Sequence, residues 1–177
     1  MATTLKSNSP APSIRAEMEG ISKAFHAMLD TMTDATWKQP SLNPGWTNGE
    51  IVIHMIFGYV IFIPLLPMAR LWGRFPRNSS RWFADLLNAI TGPFNWVNKI
   101  GARGQGKVYT RKQAGPIFDW VHQTLLKQLA TIRDEEWSRG MHYPTRWDSN
   151  FSDFMTLEAQ FHYAATHFNF HLNQLSA

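Results

Sequence analysis

The chain has 177 residues, of which 44% are hydrophobic, so it is long enough to bury one substantial core and short enough to form a single domain. It contains no cysteine, which excludes a disulfide framework, a thiolate metal site and a cysteine nucleophile. The formal net charge of +4 is concentrated between Arg70 and Lys112, where nine basic residues accompany a single acid, Asp85. Such a segment is compatible with nucleic acid, anionic lipid or an acidic small molecule, and equally with a solvated surface.

The first residues, 1–12, are rich in Ser, Thr, Pro and Ala and lack the apolar core of a signal peptide. We therefore predict a disordered lead-in over 1–12, a single domain over 13–177 and a cytoplasmic location. A first helix is predicted over 13–33, where apolar residues recur at three- and four-residue spacing. A polar segment and a turn at Pro44-Gly45 follow it.

The second helix has the clearest start signal in the chain. Thr47 and Glu50 form a T-x-x-E capping box, and the helix is predicted to run to about Ile63, where Pro64 and Pro67 end or kink it. The 19 residues from 51 to 69 carry no Asp, Glu, Lys or Arg, which is close to the length of a membrane span. A buried central helix explains the run more simply, because the run contains a histidine and two prolines.

The rest of the chain predicts three further helices and no strand. A helix over 81–100 is interrupted at Gly92-Pro93, and a flexible loop follows over 101–106. That loop matches most of a phosphate-binding G-x4-G-K motif, but Val108 stands where Ser or Thr should meet magnesium, and no strand leads into it. We therefore reject a nucleotide site there.

The fourth helix is predicted from Arg111 or Pro116 to Asp134, and a long loop follows over 135–150. Ser152 or Asp153 is expected to cap the fifth helix, which runs to about Leu175.

Three histidines carry the strongest chemical signal. His167 and His171 are four residues apart, so in a helix both imidazoles lie on one face. His54 stands alone in an apolar run of the second helix. One histidine from one helix and a pair from another can place three neutral nitrogens around a divalent metal and leave coordination positions open. Taken singly, each is also compatible with a core residue that binds no metal. The other four histidines have no metal-like spacing and are interpreted as structural or surface residues: His26, His122, His142 and His162.

Two residues of the second helix lie one turn from His54. Glu50 is a possible fourth ligand or proton acceptor, although its capping-box role is sufficient by itself. Gly58 either leaves space beside a metal for a substrate or allows close helix packing.

These features resemble the DinB/YfiT-like family of metal-binding four-helix bundles. The resemblance rests on Pro44-Gly45-Trp46-Thr47 leading into the helix of His54, and on the terminal run from His167 through His171 and Gln174 to Leu175. It implies an all-α, up-down four-helix bundle with an extra helical or loop segment between helices 2 and 4. It also implies a zinc, nickel or iron-type ion on His54, His167 and His171, with homodimers common in the family.

The resemblance and the chemistry together suggest a metal-dependent transferase that uses a low-molecular-weight thiol, or a hydrolase that activates water, acting on a small-molecule substrate. The alternative is a non-enzymatic helical module that binds a protein partner or a membrane surface through the apolar and basic region 51–112. A nucleic-acid binder ranks third and is not expected, because the basic segment contains no recognition element.

Overall fold

A computed structural model describes residues 9–176, except the side chains of 102, 103 and 105–107. Short 3₁₀ turns lie at Arg77–Ser80 and Asp134–Glu136. Within the described residues the elements are, in chain order, α1 (Ala11–Thr31), α2 (Asp34–Lys38), α3 (Asn48–Trp72), α4 (Arg81–Ala89), α5 (Thr91–Val108), α6 (Arg111–Leu129), β1 (Gly140–His142), β2 (Phe154–Thr156) and α7 (Leu157–Leu172). The predicted all-α class is confirmed. Of the predicted lead-in over 1–12, residues 1–8 lie outside the described residues, and α1 begins two residues earlier than predicted.

Four long helices enclose the core. Both α1 and α3 pack against both α6 and α7. The rings of Phe25 from α1 and Phe118 from α6 stack at 4.0 Å, and Tyr59 from α3 and Phe168 from α7 are fully buried in the same cluster. This mutual burial explains the apolar stripe on α1, which has one side in the core. The up-down order of the bundle stays a prediction.

The central helix of the fold is α3. It contacts α5, α6 and α7, and most of its first nine residues are buried. By length and composition it is the one helix in the described part of the chain that could cross a membrane. The core helix of a bundle has the same composition, because it is covered by neighbours on several sides. Packing accounts for the part of the uncharged run that is buried, which is 44% of its most apolar stretch.

The prediction that the second helix ends or kinks near Ile63 was wrong in its boundary, since α3 continues through both prolines to Trp72. A proline at position 67 has no N–H to donate to the carbonyl of Ile63. Gln128 of α6 replaces that donor, because its Nε2 donates to the Ile63 carbonyl oxygen at 2.9 Å. A side chain of a neighbouring helix thus provides the hydrogen bond that the Ile63 carbonyl lacks. The local sequence does not reveal such a donor.

The segment between α3 and α6 is more helical than predicted. The chain divides at Ile90 into α4 and α5, and the predicted loop over 101–106 is part of α5. Pro93 lies in the first turn of α5, where its missing N–H leaves no intrahelical bond unmade. Gly101 and Gly104 have no neighbour that would require glycine, and the residues around them include good helix formers. The flexible loop was therefore a wrong prediction.

A two-stranded hairpin precedes the last helix. Antiparallel β1 and β2 pair Met141 with Met155, and both side chains are buried. The sequence predicted no strand, and three-residue strands are too short to show alternation. The predicted caps Ser152 and Asp153 were wrong, because β2 follows them and α7 begins only at Leu157. Thr156 caps α7 instead, accepting a hydrogen bond from the Ala159 N–H at 3.1 Å.

A buried carboxylate connects α3 to this hairpin. The Glu136 side chain is 0% exposed and accepts hydrogen bonds from Arg70 of α3, from Arg133 and from Arg139. The bond from Arg70 is the main cause that holds the pKa of Glu136 well below its ordinary value. Three cations around one buried anion offset the cost of removing its charge from water.

Candidate metal centre

The three predicted histidines meet in the fold. His54 lies on α3, and His167 and His171 lie on α7, which packs against α3. The ring centroids are 5.4 Å apart for His54 and His167, 4.6 Å for His54 and His171, and 4.5 Å for His167 and His171. One nitrogen from each ring lies within 4.8 Å of the others. These three imidazoles form a group that could hold one metal ion.

Local signals place the His54 imidazole. The capping box is formed as predicted: the Glu50 N–H donates to Thr47 Oγ1 at 3.2 Å, and the Thr47 N–H donates to Glu50 Oε2 at 2.8 Å. This fixes the start of α3 and the rotation of its first turns. The ring of Trp46 meets the His54 imidazole edge to face at 5.6 Å. Glu50 is thereby used as a cap and is not a member of the three-histidine group.

Gly58 determines where the His167 imidazole can lie. A Cβ atom at position 58 would be 2.3 Å from Cε1 and 2.4 Å from Nδ1 of His167. These separations are far below van der Waals contact, so only glycine allows the ring to lie against α3 at this point. Gly58 was expected either to leave space for a substrate or to allow close packing. The structure shows close packing, and the side chain that packs against Gly58 is His167.

Gln174 orients the third imidazole. Its Oε1 lies 2.9 Å from Nδ1 of His171 and 3.5 Å from Nδ2 of Asn43, which donates to it. A carbonyl oxygen only accepts, so Nδ1 of His171 carries the proton and Nε2 keeps its lone pair. Metal-binding histidines commonly have such an oxygen on the ring nitrogen that does not bind the metal. Gln174 was noted in the sequence only through the family resemblance.

Burial keeps the three imidazoles neutral. Burial, followed by the neighbouring His171, lowers the pKa of His54 to about 4. Burial and the two other imidazoles lower the pKa of His167 to about 2, and burial also lowers the pKa of His171. Nδ1 of His54 and Nδ1 of His167 are buried, and neither has a hydrogen-bond partner among the described residues. Neutral, closely grouped nitrogens with unused bonding capacity fit the requirements of a divalent ion.

The histidine group lies in the wall of a cavity of about 560 Å³. The other walls are largely apolar and come from several elements, including Phe57 and Ile61 of α3, Leu87 of α4, Phe94 of α5 and Phe170 of α7. A volume of this size suits a small organic molecule, and apolar walls with few polar groups are typical of ligand pockets.

A carboxylate also lines this cavity. Asp148 Oδ2 accepts a hydrogen bond from the hydroxyl of Tyr163, and Oδ1 accepts from the Asn150 N–H at 2.8 Å. Its negative charge acts to raise the pKa of His54 and of His171, against the stronger effect of burial. Burial, then Asp148, raises the pKa of Tyr163. This pair was not predicted from the sequence, because Asp148 lies in a loop with no motif around it, although Tyr163 is one turn before His167.

The remaining histidines lie elsewhere, in agreement with their interpretation as structural or surface residues. His26 is 2.8 Å from Asp119 and His162 is 2.6 Å from Glu17, both at the surface. His142 is buried in β1 with its Nδ1 3.0 Å from the Asp153 carbonyl oxygen. His122 is buried and stacks on Phe118.

The fold and the site together define a helical protein with a buried three-imidazole group beside an apolar cavity. A family model described as the DinB superfamily matches residues 17–175, and the chain belongs to that superfamily. No curated protein and no solved structure matches the chain significantly. The match supports the family resemblance and the presence of a possible metal site, and it specifies neither substrate nor reaction.

Proposed function

We propose that this protein is a metal-dependent enzyme in which His54, His167 and His171 hold a divalent transition metal at the wall of the cavity. The observation that carries the proposal is the convergence of three buried nitrogens from α3 and α7 within 4.8 Å, facing a space large enough for a substrate. Three protein ligands leave coordination positions for a further group, as catalytic sites do. Imidazole ligands favour Zn, Ni or Fe over Mg or Ca.

The proposed reaction is the activation of a small thiol for transfer to a substrate, with hydrolysis by activated water as the close variant. A dipositive ion on neutral ligands lowers the pKa of a bound thiol or water, which supplies a nucleophile near neutral pH. Because the chain has no cysteine, the thiol comes from a low-molecular-weight compound such as glutathione, mycothiol or bacillithiol. The basic excess between residues 70 and 112 attracts the negative charges that such compounds carry.

The chain's own residues have separable roles in this proposal. Gln174 holds the tautomer of His171, and Gly58 leaves room for the ring of His167. Asp148 is the carboxylate of the cavity wall, and its Oδ1 and Oδ2 are the atoms that accept a proton released from a thiol or water. Tyr163 keeps that carboxylate in place, because its hydroxyl donates a hydrogen bond to Oδ2. The apolar walls exclude water and favour an uncharged organic substrate.

Metal content tests the proposal first. Inductively coupled plasma mass spectrometry on untagged protein is expected to find about one equivalent of Zn, Ni or Fe, and almost none in a His54→Ala/His171→Ala variant. A His162→Ala variant is the matched control, since that histidine is at the surface and outside the group. Circular dichroism verifies that each variant is folded. Absence of metal from the folded parent after addition of each ion would refute the proposal and favour the non-enzymatic helical module.

Activity screens then separate the two reactions. Transfer requires an added thiol and stops when the metal is removed, whereas hydrolysis proceeds with metal and no thiol. Both are expected to fail in the His171→Ala variant. The lack of cysteine fits a reducing cytoplasm, where low-molecular-weight thiols are abundant, and we propose that location together with a homodimer as the working state.

A further inference from the structure

A second surface of the molecule has the composition of a ligand-binding face. Six large hydrophobic side chains between residues 82 and 100 are exposed, with exposed fractions from 44% to 66%. They are Trp82, Leu86 and Ile90 of α4 and its end, and Trp96, Val97 and Ile100 of α5, which we call the α4–α5 face. Exposed apolar residues are ordinary when scattered, but a set concentrated on two consecutive helices marks a contact surface.

Four of these six residues lie on sides of their helices that do not face the cavity. Leu87 of α4 and Phe94 of α5 both line the cavity beside the histidine group. Trp82 and Leu86, and likewise Trp96 and Ile100, are spaced by one turn and lie on other sides of their helices than Leu87 and Phe94. None of the six residues of the α4–α5 face lines the cavity, and the face forms no part of the proposed metal centre.

Basic residues accompany the α4–α5 face. Lys99 lies between Val97 and Ile100 in α5 and makes no ion pair within the part of the chain that the structure describes. Arg74, which precedes α4, is likewise unpaired within residues 9–176, and Arg81 at the start of α4 forms only an exposed pair with Asp153. Between residues 70 and 112 the only acid is Asp85.

The combination of exposed apolar side chains and unpaired cations favours one kind of binding partner over others. A twofold contact with a second copy would bring the unpaired Lys99 and Arg74 of both copies to the same interface, with only the exposed Asp85 of α4 on each copy to offset them. Cores of protein interfaces are also depleted in lysine. An anionic lipid surface complements both features, because its headgroups neutralise the cations while tryptophan and aliphatic side chains enter the headgroup and acyl boundary.

We propose that the α4–α5 face binds peripherally to anionic membrane surfaces, independently of the metal centre. The helices lie along the surface, with Trp82 and Trp96 inserted at the headgroup level and Lys99 paired with lipid phosphates. The long apolar helix α3 stays in the protein core and takes no part in the contact.

Co-sedimentation of the full chain with vesicles tests this inference. The partition coefficient is expected to be at least about tenfold higher for vesicles of phosphatidylcholine with 30% phosphatidylglycerol than for phosphatidylcholine alone, and to fall in 0.5 M salt. A Trp82→Ser/Trp96→Ser variant is expected to lose binding by at least about tenfold. Trp120→Ser is the matched control, because Trp120 is 62% exposed on α6, outside the face.

Charge variants and the oligomeric state complete the test. Lys99→Glu is expected to weaken binding by about fivefold or more, whereas Lys127→Glu, an exposed lysine of α6, leaves it nearly unchanged. Equal binding to both vesicle types, or equal losses in the variants and their controls, would overturn the proposal. So would a homodimer, seen by light scattering, that dissociates in Trp82→Ser/Trp96→Ser while vesicle binding stays as in the parent.

Discussion

Replacing Gly58 with alanine tests the geometry of the histidine group with a single methyl. The added Cβ would be 2.3 Å from Cε1 of His167, more than about 1 Å closer than ordinary van der Waals contact. His167 is only 6% exposed, and the added methyl would push its ring out of the place that it occupies beside α3. Overpacking costs about 1–3 kcal/mol, and the better helix propensity of alanine returns about 1 kcal/mol. The free energy of unfolding should therefore fall by only about 0–2 kcal/mol.

Metal affinity is expected to fall much further. Metal–nitrogen distances tolerate shifts of about 0.2 Å, and the His167 ring must move several times that amount. We expect the affinity for Zn²⁺, measured by competition with a chromogenic chelator, to fall by more than about a hundredfold. Gly20→Ala on α1 is the control, because nothing lies within 4 Å of its added Cβ. Parent-like affinity in a folded Gly58→Ala variant would refute the position that we assign to His167.

Three further predictions concern single interactions. Gln174→Leu removes the acceptor from Nδ1 of His171 and should weaken Zn²⁺ binding by about 10–100-fold, as measured by the same competition. Glu136→Gln leaves three arginines around a neutral amide and should lower the free energy of unfolding in urea by about 3 kcal/mol. Metal-free protein should lose stability as the pH falls from 6.5 toward 4, because the pKa of His54 is about 4 when folded and 6.5 when unfolded. As the pH falls, His54 is protonated in the unfolded state before it is protonated in the folded state. This one group therefore lowers the free energy of unfolding by about 3 kcal/mol at most.

Each of these has a matched control. Gln174→Glu keeps an oxygen acceptor and should retain most of the affinity, so equal losses in Gln174→Leu and Gln174→Glu would contradict the role of the acceptor. Glu135→Gln, at an exposed neighbouring acid, should change stability by less than about 1 kcal/mol. The acid sensitivity should shrink in the His54→Ala variant. An unchanged sensitivity there would show that other groups cause it.

The sequence predicted the site better than it predicted the boundaries of the helices around it. The H-x3-H pair and the capping box that precedes His54 are local signals, and local rules place each imidazole on a known face of its helix. The types and spacing of the histidines suggested a single three-histidine site, and the family resemblance supported it. That the two helices meet depends on contacts between distant residues, which periodicity does not reveal. Asp148 and Tyr163 were missed for the same reason, since a loop carboxylate near a distant helix leaves no periodic signal.

The errors in the fold also have a common physical cause. Pro64 and Pro67 were interpreted as the end of the helix or a kink in it, because a missing proline donor is visible in the sequence. The donor that replaces the N–H of position 67, Gln128, is 61 residues further along the chain. The glycines of the segment 101–106 suggested a loop, but intrinsic propensity is a weak preference that neighbouring helical residues override. The hairpin of Met141 and Met155 depends on long-range pairing alone.

The separation of the histidines along the chain has a consequence for folding and turnover. His54 and His167 are more than one hundred residues apart, so their nitrogens meet only after α7 has docked on α3. An ion bound there would link α3 to α7, and it would stabilise the native state by mass action. The rate of amide hydrogen exchange in α7 would then report how much of the protein has metal bound. In cells that are poor in the metal, the metal-free protein would be degraded faster than the metal-bound protein.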